Sequence, residues 1–294
     1  MANSHIFQIL APQVARGDLD PGFAVLDNLA NERPDWYEYW PIRNFLLKES
    51  LDDTCFYAFL SPKFQSKTNL TAAQVFDFIG QSARETEVIL FSPSIHTSAH
   101  FLNVFEQGEA EHPGLMGITQ EFLQRIGLRV DLDEMVSDSR NTVTSNYFAA
   151  KPRFWREWLR INEQLFAIAE AGGDALGKAL TSHTEYRGAH AVQMKVFIME
   201  RIASLILACD ASFVCRAHDP FVAENRIYKL PLAIVCDALK IAYQTQGFGQ
   251  YKEVFRMIGG LRRAWNMHVR VGAQLGLRAV RAHTDALAAY WHKP

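Results

Sequence analysis

The sequence has few cysteines and no long uncharged apolar run. The cysteines are Cys55, Cys209, Cys215 and Cys236. They form no Cys-x-x-Cys pair and have no zinc-type spacing to histidine, which indicates reduced thiols of a cytosolic protein. The most apolar stretch, residues 197–215, is interrupted by Glu200, Arg201 and Asp210, so no membrane span is expected. The N-terminus has no basic segment followed by an apolar core, and no signal peptide is expected.

The chain also lacks a strong net charge and a glycine-rich phosphate loop. Lys and Arg number 30 against 32 Asp and Glu, and 49% of the 294 residues are hydrophobic. A general attraction to nucleic acid is therefore not expected, and the length allows one large domain or two small ones. A third possibility is an unrelated nucleotide-binding enzyme, such as a nucleotidyltransferase. The sequence contains no Walker or dinucleotide-binding loop that would support it.

Short apolar runs that end at turn residues predict an α/β fold. Strands are predicted over 5–10, 54–60 and 87–91, and the last two stop at Ser-Pro. Thr71 caps a helix predicted through Ile79. Strand, helix and strand in this order predict a βαβ unit and a mostly parallel sheet flanked by helices.

The rest of the chain is predicted to be mainly helical. A fourth strand is predicted over 142–148, and a helix over 153–171 that ends at Gly172-Gly173. One amphipathic helix is predicted over 193–209, whereas 94–114 is predicted as a long irregular loop. We therefore expect an α/β domain over residues 1–220 and a basic helical extension over 221–294.

Several short segments together resemble a group of bacterial glycosyltransferases whose domains occur in capsule and O-antigen loci. The resemblance covers roughly the first three quarters of the chain. Its segments are Tyr37-Glu-Tyr-Trp-Pro-Ile-Arg43, Phe56-Tyr-Ala-Phe-Leu-Ser-Pro-Lys63, Lys67-Thr-Asn-Leu70, Leu90-Phe-Ser-Pro93, Asn103-Val-Phe-Glu-Gln-Gly108, His112-Pro-Gly114, Ser145-Asn-Tyr-Phe148, Phe154-Trp155 and Met199-Glu-Arg201. The resemblance implies a nucleotide-sugar-binding fold of the GT-A kind. It also implies an enzyme that transfers a sugar from a nucleotide-diphosphate donor to a glycan, and we expect this glycan to be linked to a lipid.

In such a fold the donor lies over the carboxyl ends of the parallel strands. Lys63 follows the second predicted strand, Ser92 follows the third, and Asn146 lies near the end of the fourth. These three residues and Tyr37, whose ring can stack on a base or a sugar, are the predicted donor contacts. A surface lysine and core aromatic residues are the alternative interpretations.

The acid–base groups are sought in the segment from Glu106 to His112. Glu106 or Glu109 is the candidate base for the acceptor hydroxyl, and His112 is placed to meet the leaving diphosphate. A charged surface loop is the alternative. The resemblance also implies that Glu200 faces the acceptor pocket, whereas an internal ion pair between Glu200 and Arg201 is the alternative reading of the same residues.

The sequence departs from the GT-A pattern at the metal site. Ser92-Pro93 stands where an Asp-x-Asp usually holds the divalent metal that bridges the diphosphate. We therefore expect no required cofactor. Asp131 and Asp133 are a weaker alternative as ligands of Mn or Mg, and a solvated acidic loop is the competing interpretation.

The C-terminal segment 251–294 is basic and amphipathic. It carries eight Lys and Arg against two acidic residues, whereas the whole chain has a net charge of −2. Phe255, Ile258, Leu261 and Trp265 follow helical spacing. The pattern predicts a cytoplasmic protein that contacts the inner face of the membrane through this segment. The apolar face alternatively docks on the catalytic domain or forms a dimer interface.

A non-catalytic scaffold built on a degenerate nucleotide-sugar-binding fold is the second functional hypothesis. The missing strand-end Asp-x-Asp is the sequence feature that favours it. Binding of a nucleotide diphosphate discriminates between the two hypotheses, since only a donor site gains stability from it.

Overall fold

The computed structural model describes residues 3–93, 95–186, 190–221 and 230–260. Its described strands form a six-stranded sheet and a separate two-stranded hairpin. The sheet contains β1 (Ser4–Leu10), β2 (Ala24–Asp27), β3 (Phe56–Leu60), β4 (Val88–Leu90), β5 (Phe148–Ala150) and β8 (Cys215–Ala217), and the hairpin contains β6 (His183–Tyr186) and β7 (His190–Gln193).

Helices cover both faces of the sheet and follow the strands along the chain. They are α1 (Tyr39–Lys48), α2 (Phe64–Thr68), α3 (Ala72–Gly80), α4 (Ile95–Ser98), α5 (Val104–Glu111), α6 (Leu115–Arg125), α7 (Pro152–Ala171), α8 (Ala175–Thr181), α9 (Met194–Met199), α10 (Ile202–Cys209) and α11 (Leu230–Gln246). Residues 249–260 form a further helix, α12.

The sheet is mostly parallel, as the sequence predicts. Its strand order is β2-β1-β3-β5-β4-β8. β5 is antiparallel to both of its neighbours, β3 and β4, and the other pairs are parallel. The α/β fold class with a mostly parallel sheet flanked by helices is therefore confirmed.

The central strands are apolar along their whole length because both of their faces are covered. In β3, Tyr57 and Phe59 belong to one core cluster, whereas Phe56, Ala58 and Leu60 belong to another. This alternation is the period of two expected of a strand between two layers. On the first face, Trp155 of α7 donates a hydrogen bond from Nε1 to the Tyr57 carbonyl at 3.0 Å.

Several helix predictions are confirmed at their caps. Thr71 is the N-cap of α3 and accepts a hydrogen bond from the Gln74 amide. Pro152 opens α7, and Gly172 ends it with a left-handed φ of 58°. These boundaries were predictable because capping chemistry is local to the sequence.

Other predictions were wrong. The segment 94–114 is not irregular but contains α4 and α5, since Asn103 caps α5 through two backbone amides. The single helix predicted over 193–209 is divided into α9 and α10 at Glu200 and Arg201. The fourth predicted strand begins only at Phe148, and it runs antiparallel.

The described part of the C-terminal extension packs against the rest of the protein. Phe255 is 3% exposed and shares a core cluster with Leu102, Val136 and Cys236, and Ile258 packs against this cluster. Phe255 and Ile258 therefore dock on the domain, which was the alternative to membrane contact, whereas Leu261 and Trp265 lie outside the described residues.

The domain boundary was expected at residue 220. It adjoins residues 222–229, which also lie outside the described residues. None of the described helices is both long and apolar enough to cross a membrane.

Candidate functional site

The strand order creates a topological switch point between β1 and β3. After β1 the chain moves to β2 on one side, and after β3 it moves toward β4 on the other. A crevice at the carboxyl ends of two such strands is the usual ligand site of an open α/β sheet. Gln8 joins the loops on either side of this crevice: its Nε2 donates to the Ser61 carbonyl at 3.3 Å, and its Oε1 accepts from the Asp20 amide at 2.7 Å.

The antiparallel β5 brings its amino end to the same edge. Tyr147, immediately before β5, shares a 2.5 Å hydrogen bond between its hydroxyl and the Ser61 Oγ. Ser145 and Asn146 both have left-handed backbone conformations, with φ of 59° and 53°. Two consecutive non-glycine residues in this region store strain, which concentrates at functional sites.

Asn146 is buried in this strained turn. Its Nδ2 lies 3.8 Å from the Met199 sulfur, and its Oδ1 has no hydrogen-bond partner among the described residues. A buried amide oxygen without a partner is costly in free energy. A ligand hydroxyl is one group that would satisfy this oxygen, and the role of Asn146 as a donor contact stays a prediction.

Two glutamates at this edge, Glu38 and Glu200, interact electrostatically, and both act on the nearby Tyr147. Both side chains are partly exposed. Burial, followed by the negative charge of Glu200, raises the pKa of Glu38 to about 8. Burial also raises the pKa of Glu200, against the opposing effects of Arg201 and Lys67. The negative charge of Glu200 thus favours retention of a proton by Glu38.

The proton belongs mainly to Glu38. Arg201 is the neighbour of Glu200 in the chain, and its positive charge favours the ionised form of that carboxylate. Once Glu200 is ionised, its charge holds the Glu38 proton in place. Burial and the charge of Glu200 thus favour the neutral acid at Glu38, whereas Arg201 and Lys67 favour the carboxylate of Glu200, and such a division of roles suits acid–base chemistry.

Positive charge reaches the same place from the start of α2, where Lys63 is the N-cap, and from Lys67 in its last turn. Lys63 and Lys67 both favour the ionised form of Glu38, and Lys67 also acts on Glu200. The Lys67 Nζ donates to the Ser145 Oγ at 3.0 Å and lies 5.4 Å from the centre of the Tyr147 ring. Burial, and then the charges of the two glutamates, raises the pKa of Tyr147, so its hydroxyl stays protonated.

Arg201, the neighbour of Glu200 in the chain, is anchored by hydrogen bonds to α5 and α9. The buried guanidinium of Arg201 donates to the Val104 carbonyl at 2.8 Å and to the Gln107 Oε1 at 3.0 Å. Gly108 makes this approach possible, since a Cβ there would lie 2.7 Å from the Arg201 Nε. Two of the resemblance segments, 103–108 and 199–201, thus meet in space, and no described ion pair joins Glu200 to Arg201.

The predicted acid–base residues Glu106, Glu109 and His112 have partners outside the glutamate pair. Glu109 accepts hydrogen bonds from the Gly114 and Met116 amides, both at 2.8 Å, and so caps α6. Glu106 accepts from the Leu102 amide at 2.6 Å. The His112 ring is buried and stacks on Phe197 at 3.7 Å. The roles of these three residues in catalysis remain predictions.

Of the predicted donor contacts, Lys63, Asn146 and Tyr37 lie around the glutamate pair. Tyr37 directly precedes Glu38, has a strained φ of 47° and is half exposed, so its ring is open to a ligand. The Ser92 side chain instead holds the segment before β5: its Oγ donates to the Thr142 carbonyl at 2.8 Å and accepts from the Thr144 amide at 3.1 Å.

Asp131 and Asp133 lie away from this edge in a turn, where the Asp131 carboxylate accepts from the Asp133 amide at 3.0 Å. Both residues line an open groove of about 860 Å³ beside α6. The described residues contain no group of three or more His, Cys, Asp or Glu side chains arranged to hold a metal ion.

The sequence prediction missed Glu38 and Lys67 as functional residues. Both lie inside segments that carry the resemblance, 37–43 and 67–70. The sequence signal for Glu38 was a single carboxylate between Tyr37 and Tyr39. The prediction considered only the aromatic residues of this segment.

Comparison of the chain with known family models, with curated proteins and with solved structures finds no match. The functional argument therefore depends on the geometry of this edge: a coupled carboxylate pair, two lysines, a strained turn and an exposed tyrosine at a topological switch point.

Proposed function

We propose that this protein is a glycosyltransferase that transfers a hexosyl group from a nucleotide-diphosphate sugar to a hydroxyl of a glycan acceptor. The observation that carries the proposal is the coupled pair of Glu38 and Glu200 at the carboxyl edge of β1 and β3, beside Lys63 and Lys67. Crevices of this kind take nucleotide ligands in α/β sheets. The fold is accordingly assigned to the GT-A kind as part of the proposal.

The ionised Glu200 acts as the general base. It removes the proton from the acceptor hydroxyl as the acceptor oxygen forms a bond to the anomeric carbon of the donor. The bond from that carbon to the diphosphate oxygen breaks, and the nucleotide diphosphate leaves with the electron pair. Glu38 keeps its proton and donates a hydrogen bond that holds a substrate oxygen beside Glu200.

The two lysines favour transfer from a diphosphate donor over simple glycoside hydrolysis. A carboxylate pair alone also suits a glycosidase. Lys63 and Lys67 add fixed positive charge where negative charge develops on a leaving diphosphate. Tyr37 supplies a ring that can stack on the base or the sugar, and Asn146 supplies a buried acceptor for a sugar hydroxyl.

The proposal includes no required metal, because the lysines supply the charge that a divalent cation would otherwise provide. It places the enzyme in the cytoplasm, consistent with four cysteines that are all free thiols. The acceptor is a glycan, which we take to be lipid-linked.

The test is release of nucleoside diphosphate from a panel of uridine and guanosine diphosphate sugars, with water or an added glycan as the acceptor. Glu200→Gln should lower the rate about 100- to 10,000-fold, the usual contribution of a positioned base. Glu121→Gln, at an exposed glutamate on α6, is the matched control and should keep the wild-type rate. Wild-type protein that neither binds nor cleaves any donor would favour the scaffold hypothesis, and full activity of Glu200→Gln would remove the assigned base.

A further inference from the structure

Helix α11 buries both of its charged side chains while it exposes several large aliphatic ones. Between residues 230 and 243 the only charged residues are Asp237 and Lys240, and both are buried against the domain. The opposite side carries Leu232, Ile234 and Val235, which are 38%, 44% and 46% exposed. A helix on a protein surface normally presents the reverse pattern, with its apolar stripe inward.

The inward orientation of the ionisable residues is fixed by specific bonds. The Asp237 carboxylate accepts from the Ser139 amide at 2.8 Å and from the Ser139 Oγ at 2.6 Å. The Lys240 Nζ donates to the Phe101 carbonyl at 3.0 Å. Buried charges require such partners, and a rotation of α11 that hid its apolar residues would break all three bonds. The exposed apolar side is therefore held outward by the fold.

We infer that this outer face of α11, formed by Leu232, Ile234 and Val235, docks on an anionic lipid surface. Exposed clusters of large aliphatic side chains mark interaction sites. Helix α12 packs beside α11 through Phe255 and also exposes two apolar side chains, Val254 and Met257. A lipid surface suits these side chains, because it takes up aliphatic groups at the boundary between its headgroups and its acyl chains.

The charge of the adjoining chain selects an anionic lipid as the partner. The basic residues of α12, Lys252 and Arg256, are both paired with Glu134, and with Glu253 of the same helix the local charge sums to zero. Residues 261–294, which begin directly after α12, contain six Lys and Arg against one Asp. A surplus of five positive charges thus follows α12 in the sequence. Basic clusters of this kind favour anionic leaflets.

This inference is independent of the proposed chemistry at Glu200. It also differs from the sequence-based expectation, which assigned membrane contact to Phe255 and Ile258, because these two side chains pack against the domain. The lipid-facing residues belong instead to a helix that precedes the basic segment.

The experiment is flotation of the full chain with vesicles of phosphatidylcholine mixed with phosphatidylglycerol, and with vesicles of phosphatidylcholine alone. Wild-type protein should float with the anionic vesicles only, and high salt should reduce its flotation. The double variant Ile234→Glu, Val235→Glu should bind at least about tenfold more weakly. The matched control is Leu29→Glu, Leu47→Glu, two equally exposed leucines elsewhere, which should float like wild type.

Size measurement by light scattering distinguishes lipid from a second copy of the chain. The inference predicts that wild type and the α11 variant have the same mass in solution and the same unfolding midpoint. It would be overturned if wild type failed to float, or if the α11 variant floated equally well. A wild-type dimer that the α11 variant converts to a monomer, without flotation of either, would instead assign the face to self-association.

Discussion

Replacement of Glu38 by Gln should stabilise the protein at alkaline pH and leave its stability at acidic pH unchanged. Burial and the charge of Glu200 raise the pKa of Glu38 from 4.5 to about 8 in the folded protein. Folding therefore favours the protonated acid. The stability that protonated Glu38 contributes is fully present below about pH 4.5, and it is lost as the pH rises through about 8. Gln resembles the neutral acid and does not titrate.

The size of the effect follows from the two pKa values. A rise from 4.5 to about 8 corresponds to about 5 kcal/mol of unfolding free energy. Solvent reaches part of the Glu38 side chain and screens its charge, so about 2–3 kcal/mol is the expected gain for Glu38→Gln at about pH 9. Lys240, whose pKa burial lowers to about 8, also titrates in this region, but its contribution cancels in the difference between the two proteins.

The assay is urea unfolding followed by tryptophan fluorescence at about pH 4, 7 and 9. Glu121→Gln is the control and should match wild type throughout. Glu200→Gln should weaken the pH dependence, because it removes the second cause of the raised Glu38 pKa. An equal stability of Glu38→Gln and wild type at about pH 9, or a loss of stability in Glu38→Gln at every pH, would refute the coupled pair.

Three further changes test the parts around the pair. Gly108→Ala should lower the unfolding free energy by about 1–3 kcal/mol, because its Cβ would meet the Arg201 guanidinium, whereas Gly117→Ala on α6 has open space and should be neutral or stabilising in thermal unfolding. Glu109→Ala should lower the melting temperature, because it removes the cap of α6, and it should keep the rate of donor cleavage within about twofold of wild type. Loss of that activity would instead support Glu109 as a catalytic group. Thr71→Ala should cost about 1 kcal/mol in urea unfolding, and no change would show that the α3 cap is dispensable.

The central strands were predictable because their environment is uniform. β3 and β4 are covered on both faces, so each appears in the sequence as a continuous apolar run, and the apolar end of β1 is interrupted only by Gln8. Thr71 and Gly172 were equally readable, since a cap depends only on a few neighbouring residues. By contrast α5 has a polar composition without a clear apolar stripe, and its start depends on Asn103, whose side chain also bonds to the distant Leu132 carbonyl.

The candidate site was predictable only in part, because it is assembled from distant segments. Lys63 and Asn146 follow from the rule that ligands lie at strand ends, although Asn146 reaches this edge only because β5 is antiparallel. The encounter of Glu38 with Glu200 depends on the break between α9 and α10, which the apolar sequence of 193–209 conceals. The sequence predicted Glu106 and Glu109 as bases but did not indicate the backbone amides from which their carboxylates accept hydrogen bonds.

Titration calorimetry with uridine and guanosine diphosphates tests the central claim most directly. The account predicts that wild type binds at least one of them, that the double variant Lys63→Met, Lys67→Met binds at least about tenfold more weakly, and that the exposed control Lys178→Met binds like wild type. Binding of neither nucleotide to wild type, or binding that the double variant leaves unchanged, would contradict a donor site at the carboxyl edge of β1 and β3.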